Sequence, residues 1–474
     1  MQWKVSLFER ASKRVLYCSA AACFALILSF LVFSHKSYYQ IPTAHETVQD
    51  ESHETVHTEG DTTLQEIKLS PEGVRYAKLE FVVKQDHHVN AFPQILDVSV
   101  PEFKFRSSQE ILQHSQENMS KSVIMQVPII PSSRPDASHI LFGLATTLER
   151  LEESLQTVAL WAAGTETRIL TVVNPHSRVS EVKQRANDIG VRLTIIESDD
   201  DFLDSYFSLV RFLFQNLEDH TQWVGFIDDD TFFPSMANLV SRLSSYNSQE
   251  PLYLGTLSED LAQMYGWGYM GYGGGGIFLS IPLLRRLNDV YEDCKAIHDT
   301  GDRRISRCIY HHTATKLTIL PGLCQLDLHG DMSGFYESGR PLPLSLHHWK
   351  SWYPVDMVAL SAVRGICGDE CLLRRWRLSD DWFLVNGFSL VKYSTPPPVD
   401  DDLSMESTWD ESEYMRPGEG FEHSLAPLRP KDEGKISFRL QGCIRDGLSI
   451  RQFYIRSSPS GDPDQVVEVS WRLE

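Results

Sequence analysis

Trp223-Val-Gly-Phe-Ile227-Asp228-Asp229-Asp230-Thr-Phe-Phe233 joins an uninterrupted apolar run to three consecutive carboxylates. The run from Trp223 to Ile227 predicts a buried strand, and the aspartates follow directly at its carboxyl end. Ligands of open α/β sheets lie in the crevice outside the carboxyl ends of the strands. This segment therefore predicts an α/β sheet with acidic side chains at its ligand-binding edge.

The chemistry of these carboxylates favours a hard divalent cation such as Mn²⁺ or Mg²⁺, which is bound through oxygen ligands and bridges to substrate phosphates. The alternative is a helix N-cap, in which Asp230 only satisfies free backbone N–H groups ahead of a helix from Ser235 to Leu243. One aspartate would suffice for a cap. Three neighbouring carboxylates repel one another unless a cation or ligand neutralises them, so the sequence favours a metal site.

The overall composition is that of a large globular protein with an acidic surface. The chain has 474 residues, 42% of them hydrophobic, and a formal net charge of −20. A nucleic-acid-binding protein needs a basic stripe for the phosphate backbone, and the sequence contains none. Nucleic acid is therefore excluded as the expected partner.

The N-terminus predicts a membrane anchor. Residues 15–33 form an uncharged apolar run of about the length that crosses a bilayer as a helix. The basic residues of segment 1–14 precede it, so the positive-inside rule predicts a cytoplasmic tail and places everything after residue 33 across the membrane. A cleaved signal peptide is the alternative, although the run exceeds a typical signal core and no small-residue cleavage site follows it.

The cysteines agree with an oxidising compartment. Outside the apolar run there are six, an even number: Cys294, Cys308, Cys324, Cys367, Cys371 and Cys443. Local bridges Cys294–Cys308 and Cys367–Cys371 would leave Cys324–Cys443, although the sequence does not fix the connectivity. A zinc site is the alternative, but no CxxC pair occurs. Asn118-Met-Ser120 is a glycosylation acceptor, which also fits a luminal position.

The rest of the chain divides into three regions. Residues 34–138 lack sustained periodicity and end in the proline-rich stretch 128–135, which predicts a stem with local structure only between Val74 and Val100. Residues 139–398 alternate apolar strands with amphipathic helices, which indicates a mostly parallel central sheet. Residues 399–474 contain short strand patterns and predict a small C-terminal β extension.

Further candidate residues lie beyond the aspartates. Glycines 273–276 allow close approach of backbone to a ligand, although a flexible connector is the alternative. Asp302, in a polar turn before a probable helix, is either an N-cap or a general base that deprotonates an attacking hydroxyl. His347 and His348 end an apolar strand, where a neutral imidazole would complete a cation site begun by the aspartates, unless both are simply paired.

In this order, five motifs resemble the Fringe-like β-1,3-glycosyltransferases, and most closely a divergent branch with an SLHH block. They are Trp223…Asp228-Asp-Asp230-Thr, Gly273-Gly-Gly-Gly276-Ile-Phe-Leu-Ser, Gly301-Asp302…Cys308, Leu326-Asp-Leu-His-Gly-Asp331 and Ser345-Leu-His347-His348. The resemblance covers about residues 139–398. It implies a GT-A fold, a UDP-sugar donor, Mn²⁺, inversion at the anomeric carbon and a single-pass type II protein of the Golgi membrane.

The resemblance also implies roles for individual residues. The aspartate run matches the DxD-type motif, with Asp230 as the direct cation ligand beside Asp228, and His347 matches the metal-binding histidine, with His348 in reserve. Asp302 matches the acidic residue proposed as the base. The nucleotide-sugar contacts fall on Thr146, Thr147, Arg150, Asp228, Asp229, Gly274 and Gly275. The chain departs from the family at the third glycine of the loop, Gly275, where many members have Gly-Gly-Ala-Gly. The segment between the loop and Asp302 also has a different length and contains Cys294.

The expected function is an inverting, metal-dependent transfer of a sugar from a UDP-sugar to a hydroxyl of a glycan or glycoprotein acceptor, with a β-1,3 linkage implied by the resemblance. A catalytically inactive luminal glycan-binding or scaffold protein of the same fold is the first alternative. A metal-dependent hydrolase is the second, although two-metal sites of that kind need more ligands than the sequence provides.

Overall fold

The architecture is taken from a computed structural model of the chain. The structure describes residues 61–63, 67, 69–70, 72–113, 122–299, 301–397, 404–410, 425, 427–458 and 462–474. Within these residues no helix has the length and apolarity needed to cross a membrane. The anchor predicted for residues 15–33 and the glycosylation acceptor Asn118 both lie outside the described residues.

The sheet that carries the aspartates has seven strands in the described part of the chain. In spatial order they are Leu317–Ile319, Tyr253–Gly255, Ile277–Ser280, Trp223–Phe226, Ile140–Ala145, Arg168–Val173 and Arg192–Glu197. All pairings are parallel except the two made by Ile277–Ser280, which runs antiparallel to both neighbours. The prediction of an α/β fold with a mostly parallel central sheet is therefore confirmed for this region.

Helices cover both faces of this sheet. The longer ones are Leu148–Ala162, Val179–Asp188, Phe202–Gln215, Met236–Leu243, Leu261–Trp267, Ile281–Asp289 and Gly301–His312. Shorter helices are Ser108–Gln113, Tyr291–Lys295, Ser333–Tyr336, Met357–Ser361 and Arg364–Cys367. The helix Phe202–Gln215 packs close to the sheet because Gly143 has no side chain: a Cβ there would lie 2.8 Å from Leu213 Cδ1.

A second sheet of ten described strands joins both ends of the described chain. Its main order is Arg375–Arg377, Trp382–Val385, Ser389–Lys392, Ile436–Asp446, Ser449–Arg456, Gln465–Leu473, Val74–Gln85 and Lys104–Arg106. Asp61–Thr63 pairs with Ile436–Asp446, and Val123–Val127 pairs with Val74–Gln85. A separate pair joins Met405–Glu406 to Leu428–Arg429.

This second sheet changes the predicted division of the chain. Val74–Gln85 lies parallel to Gln465–Leu473, and Phe81 stacks on Trp471 with ring centroids 4.8 Å apart. Residues 74–127 thus contribute three paired strands where the sequence predicted a stem across 34–138. The C-terminal strands of 399–474 are β-rich as predicted, but they share a sheet with residues 74–127 and 375–392 instead of forming a separate extension. The partner strands lie too far apart in sequence for a local pattern to connect them.

Two of the three expected disulfides are present. Cys294 bonds to Cys308 and Cys367 bonds to Cys371, whereas Cys324 and Cys443 are free. The expected Cys324–Cys443 bridge is wrong because the two thiols belong to different parts of the fold. Cys443 is buried in the second sheet with its Sγ 3.5 Å from the Ala359 carbonyl oxygen, and Cys324 lies in the loop after the edge strand of the first sheet.

Candidate metal centre

The three aspartates form a tight turn at the carboxyl end of strand Trp223–Phe226. The Thr231 backbone N–H donates to the Asp228 carbonyl at 3.1 Å, and the Thr231 hydroxyl accepts from the Asp228 N–H at 3.0 Å. The same hydroxyl donates to the Gly274 carbonyl oxygen at 2.9 Å. The acidic turn is therefore fixed against the glycine-rich loop.

The histidines reach this turn through a short backbone bridge. Phe232 and Leu346 exchange two backbone hydrogen bonds, both 2.8 Å long, which brings His347 beside the aspartates. Its Nε2 atom lies 2.9 Å from Asp230 Oδ1 and 3.5 Å from Asp228 Oδ2. Distant parts of the sequence thus converge in the way that the aspartate and histidine motifs predict.

Asp230, His347 and His348 form a buried group whose ligand atoms all lie within 4.8 Å of one another. His348 therefore belongs to the cluster itself, although the resemblance implied only that it could substitute for His347. One carboxylate oxygen and two imidazole nitrogens, with Asp228 beside them, are donors that fit Mn²⁺ better than Mg²⁺, which prefers oxygen ligands. The residues present therefore fit the cation that the sequence predicts.

The electrostatics of the cluster favour a positive charge between the aspartates. Burial would lower the pKa of His347, but the bonds and charges of Asp228 and Asp230 raise this pKa well above its ordinary value. Burial would raise the pKa of Asp230, but His347 lowers it below its ordinary value. Burial lowers the pKa of His348 below its ordinary value, despite a hydrogen bond to Asp327.

Asp229 has a different environment from its two neighbours. Its oxygens accept from the Arg150 guanidinium at 2.6 and 2.7 Å, and also from the Thr146 hydroxyl. Lys350 Nζ lies 3.5 Å away. Asp229 is thus occupied by side chains and lies outside the cation cluster. Thr147, also predicted to contact nucleotide, caps the helix Leu148–Ala162 by accepting from the Arg150 N–H.

Asp302 lies against the glycine-rich loop in the first turn of helix Gly301–His312. Its Oδ2 accepts from the Gly273 N–H at 3.2 Å and its Oδ1 from the Arg303 N–H at 2.7 Å. Tyr206 packs beneath both segments: a Cβ at Gly273 would lie 2.4 Å from its hydroxyl, and one at Gly301 2.4 Å from its ring. The structure thus places the predicted base beside the predicted loop, where it also serves the helix start.

An open cleft of about 300 Å³ lies over the cluster. It is lined by Ala145, Thr146, Arg150, Phe202, Asp228, Asp229, Asp230, His347, His348, Ser351 and Trp352. Trp352 stacks on His348 with ring centroids 3.9 Å apart and planes 6° apart, and 40% of its surface is exposed. The cleft therefore combines charged groups with aromatic faces at the carboxyl edge of the sheet.

Sequence reasoning missed four polar residues around the histidines. The Ser351 hydroxyl lies 3.0 Å from Asp230 Oδ2 and 3.1 Å from His348 Nδ1, and Asp327 Oδ1 lies 3.2 Å from His348 Nε2. The Gln325 carbonyl oxygen lies 2.9 Å from His347 Nδ1, and Glu259 accepts from the backbone of the same segment. The available signal was their position, because Glu259 and Asp327 follow the neighbouring strands Tyr253–Gly255 and Leu317–Ile319 at the edge that holds the aspartates.

Comparison with known proteins gives partial matches. A family described as "Protein of unknown function, DUF604" matches residues 263–366, a range that includes the glycine-rich loop, Asp302 and both histidines. Among solved structures, the chain is similar to the glycosyltransferase GlyE of Streptococcus pneumoniae TIGR4, with 12% identity over 39% of this chain and 45% of that one and a TM-score of 0.27.

Two further similar structures are also named as transferases or carry a nucleotide sugar. Mouse xyloside xylosyltransferase 1 has 13% identity over 40% of this chain and 85% of that one, with a TM-score of 0.27. S. aureus TarS 1–349 in complex with UDP-GlcNAc has 9% identity over 39% and 56%, with a TM-score of 0.28. Similarity at this level does not establish a shared fold, so function has to be inferred from the site of this chain.

Proposed function

We propose that this chain is a metal-dependent glycosyltransferase that moves a sugar from a UDP-sugar to a hydroxyl of a glycan or glycoprotein. The observation that carries the proposal is the buried convergence of Asp230, His347 and His348 beside Asp228 at the carboxyl edge of a mostly parallel sheet. When bound there, Mn²⁺ supplies positive charge to the diphosphate of the departing UDP.

The cleft supplies groups for the nucleotide. Thr146 and Arg150 line it next to the cluster, and half of the Arg150 side chain is exposed while its guanidinium holds Asp229. Planar guanidinium groups bind phosphate well, so Arg150 would face the diphosphate or the nucleoside. Gly274 brings the loop backbone against the His347 ring, and Gly275 brings it against Thr256 and Gln325, so the loop packs directly on the groups that hold the cluster.

Asp302 is proposed as the general base. In this reaction it takes the proton from the acceptor hydroxyl, whose oxygen attacks the anomeric carbon on the face opposite the departing UDP, and the configuration is inverted. Its position on the Gly273 N–H supports this role, because the glycine-rich loop separates it from the cation cluster. A β-1,3 linkage is part of the proposal through the Fringe-like motifs alone.

An exposed aromatic group beside Asp302 supports a glycan acceptor. Tyr265, Trp267 and Tyr269 are 79%, 40% and 61% exposed. Trp267 lies near the start of the helix that carries Asp302, since the Arg303 guanidinium is 5.8 Å from its ring, and the Tyr269 carbonyl oxygen accepts from Tyr310 near the end of that helix. Flat aromatic faces with polar edges suit ligands that are apolar on one side and hydroxylated on the other, as sugars are.

The proposed setting is the Golgi lumen, with the chain anchored through residues 15–33. Two disulfide bonds in the described residues support an oxidising compartment. Among the alternatives, a two-metal hydrolase is not favoured because the described residues contain a single cluster able to hold a cation. One observation favours an inactive glycan-binding protein: both Asp302 oxygens accept from backbone N–H groups, as they would if this residue had only a structural role.

The test is turnover of a panel of UDP-sugars by the purified chain with Mn²⁺, measured as UDP release and as transfer to glycan acceptors. We expect one donor to be turned over and Asp230→Asn to abolish that turnover. Asp188→Asn, at an exposed helix end, is the matched control and leaves it unchanged. Full activity of Asp230→Asn would contradict the metal assignment, and glycan binding without any turnover would favour the inactive alternative.

A further inference from the structure

One short segment, residues 325–327, contacts the rings of both histidines of the cluster. His347 Nδ1 lies 2.9 Å from the Gln325 carbonyl oxygen. His348 Nε2 lies 3.2 Å from Asp327 Oδ1. The two imidazoles therefore use different ring nitrogens to contact the same segment. The other nitrogen of His347, Nε2, faces Asp230, and the other nitrogen of His348, Nδ1, faces the Ser351 hydroxyl.

The partners of the two rings determine where their hydrogens lie. A carbonyl oxygen only accepts, so His347 carries a hydrogen on Nδ1, and its Nε2 points to Asp230 at 2.9 Å. Asp327 also accepts from the Ser258 hydroxyl and the Gln325 side-chain amide, so it meets His348 Nε2 as an acceptor. His348 therefore carries a hydrogen on Nε2.

This tautomer leaves the His348 Nδ1 lone pair on the cation side. In this tautomer the Ser351 hydroxyl donates its one hydrogen to Nδ1, 3.1 Å away, and not to Asp230 Oδ2, 3.0 Å away. With the opposite tautomer, Nδ1 would carry the hydrogen and the Nε2 lone pair would face the Asp327 carboxylate, an arrangement in which neither group can donate. Asp327 thus selects the form of His348 that is able to bind a metal.

Asp327 is itself positioned by buried polar groups. The Ser258 hydroxyl donates to its Oδ2 at 2.6 Å, and the Gln325 side-chain amide donates to its Oδ1 at 3.3 Å. Gln325 also accepts from the Gly275 N–H at 2.7 Å, so it connects Asp327 to the glycine-rich loop. Because Asp327 is only 5% exposed, its orientation depends on these contacts.

The backbone of the segment has an unusual conformation that Glu259 stabilises. Leu326 has a φ of 60°, in the left-handed region that a branched side chain rarely adopts. Glu259, 3% exposed, accepts from the Gln325 N–H at 3.2 Å and from the Leu326 N–H at 2.7 Å. These bonds hold the turn that directs the Gln325 carbonyl to His347 and the Asp327 carboxylate to His348.

We propose that Asp327 is a positioning residue of the cation site, which acts through the tautomer and orientation of His348, and that Glu259 holds the turn that presents it. The inference rests on the proposed function, because it takes the cluster to be a Mn²⁺ site. Carboxylates behind metal-binding histidines also make the imidazole a more basic ligand, and their removal typically lowers metal affinity by about 10- to 100-fold.

The test is a double-mutant cycle on Mn²⁺ affinity, measured by calorimetric titration of the full purified chain without nucleotide. The four proteins are the wild type, Asp327→Ala, His348→Ala and the double variant. We expect Asp327→Ala to weaken Mn²⁺ binding by about 10- to 100-fold. We also expect Asp327→Ala to add no loss in the His348→Ala background, because Asp327 acts through that ring.

Further variants separate positioning from a loss of folding. Asp327→Asn keeps an acceptor oxygen but removes the charge, so its loss of affinity is smaller than that of Asp327→Ala. Asp331→Ala, just beyond this segment, removes a carboxylate that accepts from Ser333 and Tyr353 and leaves Mn²⁺ affinity unchanged. Glu259→Gln weakens binding through His347 as well as His348, so its effect persists in the His348→Ala background.

The outcomes distinguish the inference from the proposed function. If Asp327→Ala weakens Mn²⁺ binding equally in the wild-type and His348→Ala backgrounds, the positioning role is overturned while the cation site stands. The same holds if Asp327→Asn and Asp327→Ala are both folded and both bind Mn²⁺ with wild-type affinity. Absence of Mn²⁺ binding by the wild type overturns the positioning role and the metal-dependent function together. Mn²⁺ binding without turnover of any UDP-sugar overturns the proposed activity alone.

Discussion

The imidazole of His347 occupies the space that a side chain at residue 274 would need. A Cβ built on Gly274 would lie 2.1 Å from Cε1 and 2.3 Å from both ring nitrogens of His347. No rotation of a buried ring relieves a contact of that length on all sides. The glycine is therefore required by the close approach of the loop to the cation cluster, which is a more specific reason than the flexibility of a connector.

Gly274→Ala is expected to displace His347 and to abolish Mn²⁺ binding and turnover, while the rest of the fold is retained. The control is Gly365→Ala, because a Cβ at Gly365 meets no atom within 4 Å. Mn²⁺ titration and UDP release measure the two effects, and circular dichroism reports the fold. Wild-type Mn²⁺ affinity in Gly274→Ala would show that the position of His347 does not depend on the absence of a side chain at residue 274.

Arg150 and Asp229 provide a second prediction, on stability. Arg150→Ala leaves the buried Asp229 carboxylate with Thr146 and a more distant Lys350, whereas half of the Arg150 side chain was already exposed to solvent. We expect a loss of about 1–2 kcal/mol in the free energy of unfolding, below the value for a fully buried pair. Urea denaturation measures it.

Arg192→Ala is the matched control for Arg150. Arg192 pairs with Glu166 on the surface, where both side chains are more than half exposed. Exposed pairs contribute little, so this change is expected to alter the free energy of unfolding by less than about 1 kcal/mol. Equal losses for Arg150→Ala and Arg192→Ala would mean that Asp229 does not depend on its guanidinium partner.

The predictable part of this site follows from local pattern. An apolar strand that ends in carboxylates, a glycine run and an apolar stretch that ends in two histidines each have a local signature. The stretch before the histidines was predicted to be a strand but forms none, and an isolated bridge between Leu346 and Phe232 brings His347 to the edge of the sheet. Asp230, His347 and the glycine-rich loop were predictable for that reason. The membership of His348 was open, because a doublet of histidines does not tell which ring faces the cation.

The unpredicted part depends on long-range packing. Val74–Gln85 has a partner strand, Gln465–Leu473, nearly four hundred residues further along the chain, so its role in a ten-stranded sheet has no local signal. The bridge expected between Cys324 and Cys443 was inferred only because the other four cysteines were already paired. It does not form, because the two thiols lie in different parts of the fold, which the sequence does not reveal. Asp327 contacts His348, and Glu259 contacts the backbone before Asp327, on the side of the rings away from the aspartates. Contacts of this kind depend on the three-dimensional structure and leave no pattern in the sequence.

Glu259 gives a prediction on pH dependence. Burial, with the charge of Asp327, raises the pKa of Glu259 from 4.5 to about 8 in the folded chain. Between these values the folded state binds a proton that the unfolded state has lost, so the contribution of Glu259 to stability is complete below about pH 4.5 and is lost as the pH rises through about 8. Stability due to this residue therefore falls with increasing pH.

Glu259→Gln removes this dependence, because the amide is neutral at every pH. We expect the wild type to lose stability relative to Glu259→Gln between pH 5 and pH 8, with a limiting slope of about 1.4 kcal/mol per pH unit for one proton. Urea denaturation of both proteins at several pH values provides the difference directly, and other titrating groups cancel in it. Parallel curves for the two proteins would show that Glu259 is ionised throughout this range.

Trp267 tests the acceptor side of the proposed reaction. Its ring is 40% exposed and is oriented by a hydrogen bond from Nε1 to the Gln263 side chain at 2.9 Å. If a sugar of the acceptor stacks on it, Trp267→Ala removes an interaction of about 1–1.5 kcal/mol, which corresponds to a roughly tenfold higher KM for the acceptor. Hydrolysis of the UDP-sugar without acceptor should not change, because that reaction uses the cation cluster and the nucleotide groups.

Leu448→Ala is the control for Trp267→Ala, since Leu448 is 80% exposed in the turn between two strands of the second sheet. An unchanged KM for the acceptor in Trp267→Ala would place acceptor binding on another surface, and a parallel loss of hydrolysis would indicate damage to the site as a whole.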